Sequence, residues 1–235
     1  MTAIEPLYDK KYRCSICSHA FTSKKIRSRF IKTESIDIDF CPTYTDSENN
    51  PILYQMTVCP SCGFSFSDDF SDYYPPGTRE MIKEKVWSKW TPHSFSNKRS
   101  TEEAINTFKL AIYCATLKKE KHIILAGLYM KLSWLYRNLN NAAQEKRFMK
   151  IAFQEYLESY TTQDYFGTQV SEIRVLYLLG VLAIKIENKK EASKYFSKVI
   201  EQQRKTTEHN IVEMAKERWS EIRHAEEFKT PLSIQ

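Results

Sequence analysis

The chain has 235 residues, 42% of them hydrophobic and 27% charged, with a formal net charge of +6. This is the composition of a soluble globular protein with one large or two small domains, and five glycines are too few for a Gly-rich nucleotide-binding fold or a turn-dense all-β fold. The charge is uneven: residues 1–33 carry +6, residues 34–80 carry −8 and residues 81–235 carry +8, so the N-terminal third as a whole is not a phosphate-binding surface.

The first residues hold Glu5, Asp9, Lys10, Lys11 and Arg13, with no apolar core and no cleavage site, which is not a secretory signal. The longest apolar run, Val175 to Ile184, is half of the roughly 20 residues a spanning helix needs. A cytoplasmic protein without a membrane segment is expected. Six cysteines in a reducing compartment read as metal ligands or redox groups, not as a disulfide framework.

Two Cys-x-x-Cys pairs stand out: Cys14 and Cys17 in "YRCSICSHAF", and Cys59 and Cys62 in "VCPSCGFSF". Each turn directs two thiolates to one point, and Gly63 suits the left-handed conformation that such a knuckle needs. Together they offer the four-sulfur shell that zinc prefers, closed to substrate, so a structural Zn2+ is expected on Cys14, Cys17, Cys59 and Cys62. Folding of residues 10–70 should then depend on the metal. A thiol redox pair is the competing reading. His19 could replace Cys17, but such histidines usually lie outside the shell.

Between the pairs, "SIDIDFC" alternates strictly, with Ile36, Ile38 and Phe40 on one face and Asp37, Asp39 and Cys41 on the other. The pattern predicts a half-buried strand. "ILYQMTV" (52–58) reads as a second strand, and the two strands would bring the cysteine loops together. Asp37, Asp39 and Cys41 could form an acidic thiol site; the preferred reading is a cysteine packed near the knuckles beside two solvated aspartates. The basic stretch "KKIRSRFIK" places Lys24, Lys25, Arg27, Arg29 and Lys32 around Phe30, which could hold a nucleic-acid backbone. A solvated or internally paired face is preferred there.

The segment "YYPPGT" (73–78) divides the chain. Beyond it, helical periodicity dominates. Thr78 can cap a helix through Trp90. Ser100 and Glu103 form a capping box for a helix to about Lys118. Leu125, Leu128, Leu132, Leu135 and Leu139 make one apolar stripe. Further helices are expected over roughly 141–160, 168–187, 190–205 and 208–228. The loop "TTQDYFGT" (161–168) offers Tyr165 and Phe166 as an exposed contact pair.

An internal repeat runs through this half. "LYLLGVLAIKIENKKEASKYFSKVI" has Leu179-Gly180 in one helix and Ala192 and Phe196 in the next, which is similar to the tetratricopeptide pattern. "LYMKLSWLYRNLNNAAQEKRFMKIA" echoes it about 47 residues upstream, with Leu132-Ser133 and Phe148. A third, partial copy holds Ala104, Phe108 and Ala111.

No phosphate loop, metal-binding helix or nucleophile elbow is present, and the five histidines are scattered. An enzyme is therefore not the preferred reading.

Taken together, "LYDKKYRCSIC", "DIDFCPTY", "NPILYQMTVCPSCGFS" and "AGLYMKLSWLYR" resemble the bacterial family called domain of unknown function 2225, over about residues 6–205. The resemblance implies a zinc-ribbon-like N-terminus with Cys14, Cys17, Cys59 and Cys62 as ligands, followed by tetratricopeptide-like helices in a bacterial cytoplasm, and no established activity. The first knuckle departs from the family pattern, reading "CSICSH" where a proline and a glycine are expected. The expected fold is α+β and mostly α: a zinc-bound β module over 1–74, then an α-solenoid of tetratricopeptide-like helix pairs over 75–235. The expected function is a zinc-binding adaptor whose helical groove takes a protein or peptide partner. The alternatives are a nucleic-acid- or ribosome-associated protein using residues 24–32, and a thiol or metal enzyme around Asp37, Asp39 and Cys41.

Overall fold

A computed structural model describes residues 4–227, with side chains through His224. The fold is α+β and mostly α. Its N-terminal part contains three two-stranded antiparallel sheets. Strand β1 (Leu7–Arg13) pairs with β2 (Ala20–Ile26), β3 (Thr33–Ile36) with β4 (Pro42–Tyr44), and β5 (Thr57–Val58) with β6 (Ser65–Phe66).

The first sheet is not foreseen in the sequence reading, and the two foreseen strands are reorganised. "SIDIDFC" is not one strand. Its first half ends β3, Asp37–Phe40 form a turn closed by hydrogen bonds from Phe40 N to Asp37 O and from Asp37 N to Cys41 O, and Phe40 takes a left-handed φ of 63°. The period of two is therefore broken after Ile36, which is exposed (64%), while Asp39 is fully buried. "ILYQMTV" begins as a 3-10 turn, Pro51–Tyr54, with Pro51 at its start and the Asn50 side chain accepting from Ile52 N; only Thr57–Val58 are strand. Proline after an Asx cap starts a helical turn and outweighs the β-branched composition that follows.

Seven helices complete the described chain: α1 (Thr78–Lys85), α2 (Thr101–Lys118), α3 (His122–Asn138), α4 (Ala142–Thr162), α5 (Glu172–Lys185), α6 (Lys189–Glu201) and α7 (His209–Glu227). The predicted helix 78–90 stops early. Gly77 is its N-cap at φ 79°, and after Lys85 the chain tightens into a 3-10 turn, Trp87–Lys89. The Ser100–Glu103 capping box forms in both directions, with Ser100 Oγ accepting from Glu103 N at 3.2 Å and Glu103 Oε2 accepting from Ser100 N at 2.8 Å. Of the α3 leucine stripe, Leu125, Leu128, Leu132 and Leu135 are buried, whereas Leu139 lies just past the helix end and is exposed.

From α2 onward each helix packs on the next. The repeat is visible in the turns. Asn140 and Glu187 both take left-handed φ (54° and 68°), and Asn141 and Asn188 then cap α4 and α6 through their side chains. In both turns the asparagine N–H donates to a carbonyl five residues back, Tyr136 O or Ala183 O. The offset is 47 residues, so Met149, and not Phe148, is the counterpart of Phe196. At the α5–α6 crossing, a Cβ on Gly180 would sit 2.6 Å from the Phe196 ring, so only glycine lets the helices approach this closely.

Tyr165 is buried and only Phe166 is exposed, so the expected exposed pair is a single residue. The reason is local: Asp164, held by the Ser159 hydroxyl at 2.5 Å, folds this loop back to accept from His122 N and Ile123 N at the start of α3.

Two hydrophobic clusters hold the molecule. The larger joins the helices to Ile26, Cys41, Ile52, Leu53, Tyr54 and Met56 of the N-terminal part. The smaller surrounds the paired cysteines with Ile16, Phe64, Ile82, Val86 and Cys114. Arg99, buried, stitches the first group by donating to Leu53 O (3.2 Å), Met56 O (2.7 Å), Phe95 O (2.7 Å) and Ser23 Oγ (3.1 Å). A buried Lys118–Glu120 ion pair clamps the linker, Lys118 donating to Ser71 O and Glu120 accepting from Ser71 N.

Candidate metal centre

Each Cys-x-x-Cys sequence is the turn of a β-hairpin. Residues 14–19 lie between the paired Arg13 and Ala20, and residues 59–64 between the paired Val58 and Ser65. The two turns are closed alike. Cys14 O accepts from Ser18 N and Cys14 N donates to His19 O; Cys59 O accepts from Gly63 N and Cys59 N donates to Phe64 O, all at 2.9–3.0 Å. Ser18 (φ 61°) and Gly63 (φ 72°) occupy the same left-handed position. The first knuckle thus keeps its shape without glycine, at the cost of backbone strain on a serine.

The four Sγ atoms lie within 4.8 Å of one another. Cys14 and Cys62 are 3.6 Å apart, as are Cys17 and Cys59. That is too long for a disulfide, and all six cysteines are free. Zinc–sulfur bonds of about 2.3 Å at tetrahedral angles separate sulfurs by about 3.8 Å, so the cluster has the size of a four-thiolate metal site. The four cysteines could hold a metal ion, and no further His, Cys, Asp or Glu joins them among the described residues. His19 stands aside, stacked 6.3 Å from Phe21.

Protons are held unevenly within the cluster, with Cys59 pulled down and Cys14 and Cys62 pushed up by their mutual hydrogen bonds. Hydrogen bonds from Cys14 and then Cys62, with backbone amides behind them, hold the Cys59 thiol well below the usual thiol range. The hydrogen bond to Cys59 in turn pushes Cys14 up. A divalent cation relieves this sharing of protons. Cys14, Cys59 and Cys62 are buried, Cys17 partly so.

Neighbouring elements cover the knuckles. Trp90 donates its indole N–H to Pro60 O (2.9 Å) and lies across Gly63, where a Cβ would fall 2.4 Å from the ring. Arg79 donates to Ser15 O (2.5 Å) and stacks 3.9 Å above Tyr74, whose hydroxyl meets Ser15 Oγ at 2.6 Å. Sequence reasoning missed Trp90 and Arg79 as partners of the site. The missed β1–β2 hairpin had a signal: Tyr8, Lys10 and Tyr12 alternate with the exposed Asp9, Lys11 and Arg13, and all three are half-buried.

Cys41 is not near the knuckles. It packs in the larger cluster, where burial pushes its thiol up to about 11. Asp39 is buried, not solvated, whereas Asp37 is exposed but paired. Arg137 of α3 donates to Asp37 Oδ2 (2.9 Å) and to Asp39 Oδ2 (2.5 Å), and Lys185 of α5 reaches Asp37 Oδ2 (3.0 Å). Cations on helices predicted separately thus claim both carboxylates, and a thiol with a raised pKa is a poor nucleophile.

The basic stretch is largely occupied within the chain. Lys24 pairs with Asp9 (3.0 Å), Lys25 donates to Gln55 O (3.1 Å), and Arg27 donates to Glu5 O (3.2 Å) while lying over Tyr8.

The model of one protein family, DUF2225, matches residues 7–222. The chain belongs to that family. It is described as an uncharacterized protein conserved in bacteria, and the match continues beyond residue 205, where the expected resemblance ends. No curated protein and no solved structure matches the chain. Among the described residues, no helix is long and apolar enough to cross a membrane.

Proposed function

We propose that this DUF2225 protein is a zinc-stapled, non-catalytic adaptor of the bacterial cytoplasm that binds a protein or peptide partner through its helical array. The observation that carries the reading is the buried four-sulfur cluster set in two equivalent hairpin turns and covered by α1 and α2. Four thiolates fill a tetrahedral ion's coordination and leave no position for substrate, so the metal fixes shape and does no chemistry. Zinc is the ion for which this donor set and size are most suited in a reducing compartment. The Gly180–Phe196 approach and the 47-residue recurrence of the turns support a tetratricopeptide-like array, whose common use is to bind extended peptides or helices.

The nucleic-acid alternative has less support, because three cations of the 24–32 stretch already have partners in the chain. Native mass spectrometry of protein purified gently from its own cytoplasm, with and without nuclease, separates the readings. One zinc per chain with an added protein mass that resists nuclease is the expected result. Added mass removed by nuclease supports nucleic-acid binding instead. A chain without metal, lighter by paired cysteine protons, overturns the structural-zinc reading.

A further inference from the structure

We propose that the face formed by α3 and α5 is a receptor for an acidic turn of the form Asp-x-Asp-aromatic, and that the chain's own β3–β4 tip is its resident occupant. The proposal rests on the adaptor reading above and names the partner's chemistry.

The tip is read as a ligand is read. Asp37 takes Arg137 and Lys185. The backbone carbonyl of Ile38 accepts from the Tyr177 hydroxyl at 3.0 Å. Asp39 takes Arg137 on one side and the Trp134 indole N–H at 3.3 Å on the other. The Phe40 ring lies 5.4 Å from Tyr177 and 5.9 Å from the Arg174 guanidinium. Each of the four residues is therefore met by side chains from the first helices of the two repeated pairs, cation to carboxylate and aromatic to aromatic.

Cys41 anchors one side of the tip in the larger cluster, but the strand that leads into the tip does not pack like core. All four residues of β3 are exposed, including the apolar Ile36, and the buried member of the tip is a carboxylate. Phe40 is bent into a left-handed conformation to present its ring. Burying ion pairs yields little net stability, because desolvation offsets most of their attraction. A competing peptide that supplies the same groups can therefore exchange with the tip, and the tip's tether sets how strongly it competes.

The receptor is tested with a fluorescein-labelled peptide of residues 35–42 carrying Cys41→Ser. Fluorescence anisotropy compares full-length wild-type protein with a variant in which residues 34–43 are replaced by Asn-Gly, joining the paired Thr33 and Tyr44. A tethered occupant acts at an effective concentration of about 1 mM, so the emptied receptor should bind the peptide at least about tenfold more tightly than wild type. Peptide with both aspartates changed to asparagine should lose at least about tenfold, and added salt should weaken binding. Equal binding to both proteins, or indifference to the peptide's aspartates, overturns the proposal.

If circular dichroism or metal content shows that the shortened variant is misfolded, full-length Asp37→Asn/Asp39→Asn takes its place. It weakens the occupant and leaves the receptor whole. Failure of that variant to bind the acidic peptide overturns the proposal as well. A partner still retained in native mass spectra would then leave the adaptor reading standing while this one falls.

Discussion

At the scale of single residues, the two knuckles are one backbone design with two different residues at the strained position. Gly63 holds φ 72° freely and leaves room for Trp90; Ser18 holds φ 61° under strain. Gly63→Ala adds left-handed strain of about 1–2 kcal/mol and an overlap with the indole that costs about 1–3 kcal/mol. We expect a loss of at least about 2 kcal/mol in urea unfolding. Combining it with Trp90→Ala should remove the overlap and leave the strain, so the double variant should lose less than the sum of the two singles. Strict additivity would mean that the indole does not seal the knuckle. The cysteines divide just as sharply. Cys59→Ser should abolish stoichiometric metal in elemental analysis, whereas Cys41→Ser and Cys114→Ser, outside the four-sulfur cluster, should keep it.

At the scale of elements, the β3–β4 tip ties the N-terminal part to α3 and α5 through charge. Arg137→Met leaves the buried Asp39 with the Cys41 amide, the Trp134 indole and a Lys185 ammonium at 3.9 Å, and should cost about 3 kcal/mol. Asp37 adds a pH signature. Burial pushes its pKa up, but the Lys185 hydrogen bond, the Ile38 amide and nearby cations outweigh this and hold it below the ordinary carboxylate value. A depressed carboxylate stabilises the fold above its unfolded pKa of about 3.9, and that contribution is lost as pH falls through the lower folded value. The stability gap between wild type and Asp37→Asn should thus be constant from pH 7 to about 5 and shrink below about 4. A gap that persists at pH 3 would mean the carboxylate charge is not what anchors the tip. This tip also marks where sequence reading stops. Alternation of Ile36, Ile38 and Phe40 is a local signal for a strand, but what bends the chain is an arginine and a lysine from distant helices. The cysteine spacing and the capping box were legible because they are short-range chemistry. Trp90 across Gly63 and Arg137 on Asp39 were not, because contacts over roughly 30 and 100 residues leave no local pattern.

At the scale of the whole molecule, the two hydrophobic clusters should respond differently to loss of metal. The smaller is built around the cysteines and draws on α1 and one face of α2; the larger runs from α2 to α7 and has its own continuous core of leucines, aromatics and the Gly180–Phe196 contact. A structural four-thiolate zinc is worth about 10 kcal/mol or more to the segment that it folds. The short sheets β1–β2 and β5–β6 bury too little by themselves to replace it. Stripping the metal with a chelator under reducing conditions should therefore unfold residues 7–26 and 57–90 and leave the repeated helix pairs standing. Hydrogen exchange is the direct measurement. Protection should vanish in the two hairpins and α1, fall around Cys114 in the last turns of α2, and remain in α3 through α6, with far-UV circular dichroism keeping most of its helical signal. Loss of protection throughout α3–α6 would mean instead that the Asp37–Asp39 tip and the Arg99 bonds make the chain a single cooperative unit. Unchanged protection of the hairpins would mean that the sulfur cluster stands without metal. Return of protection on adding back one equivalent of zinc, with a one-to-one endpoint, completes the expected result.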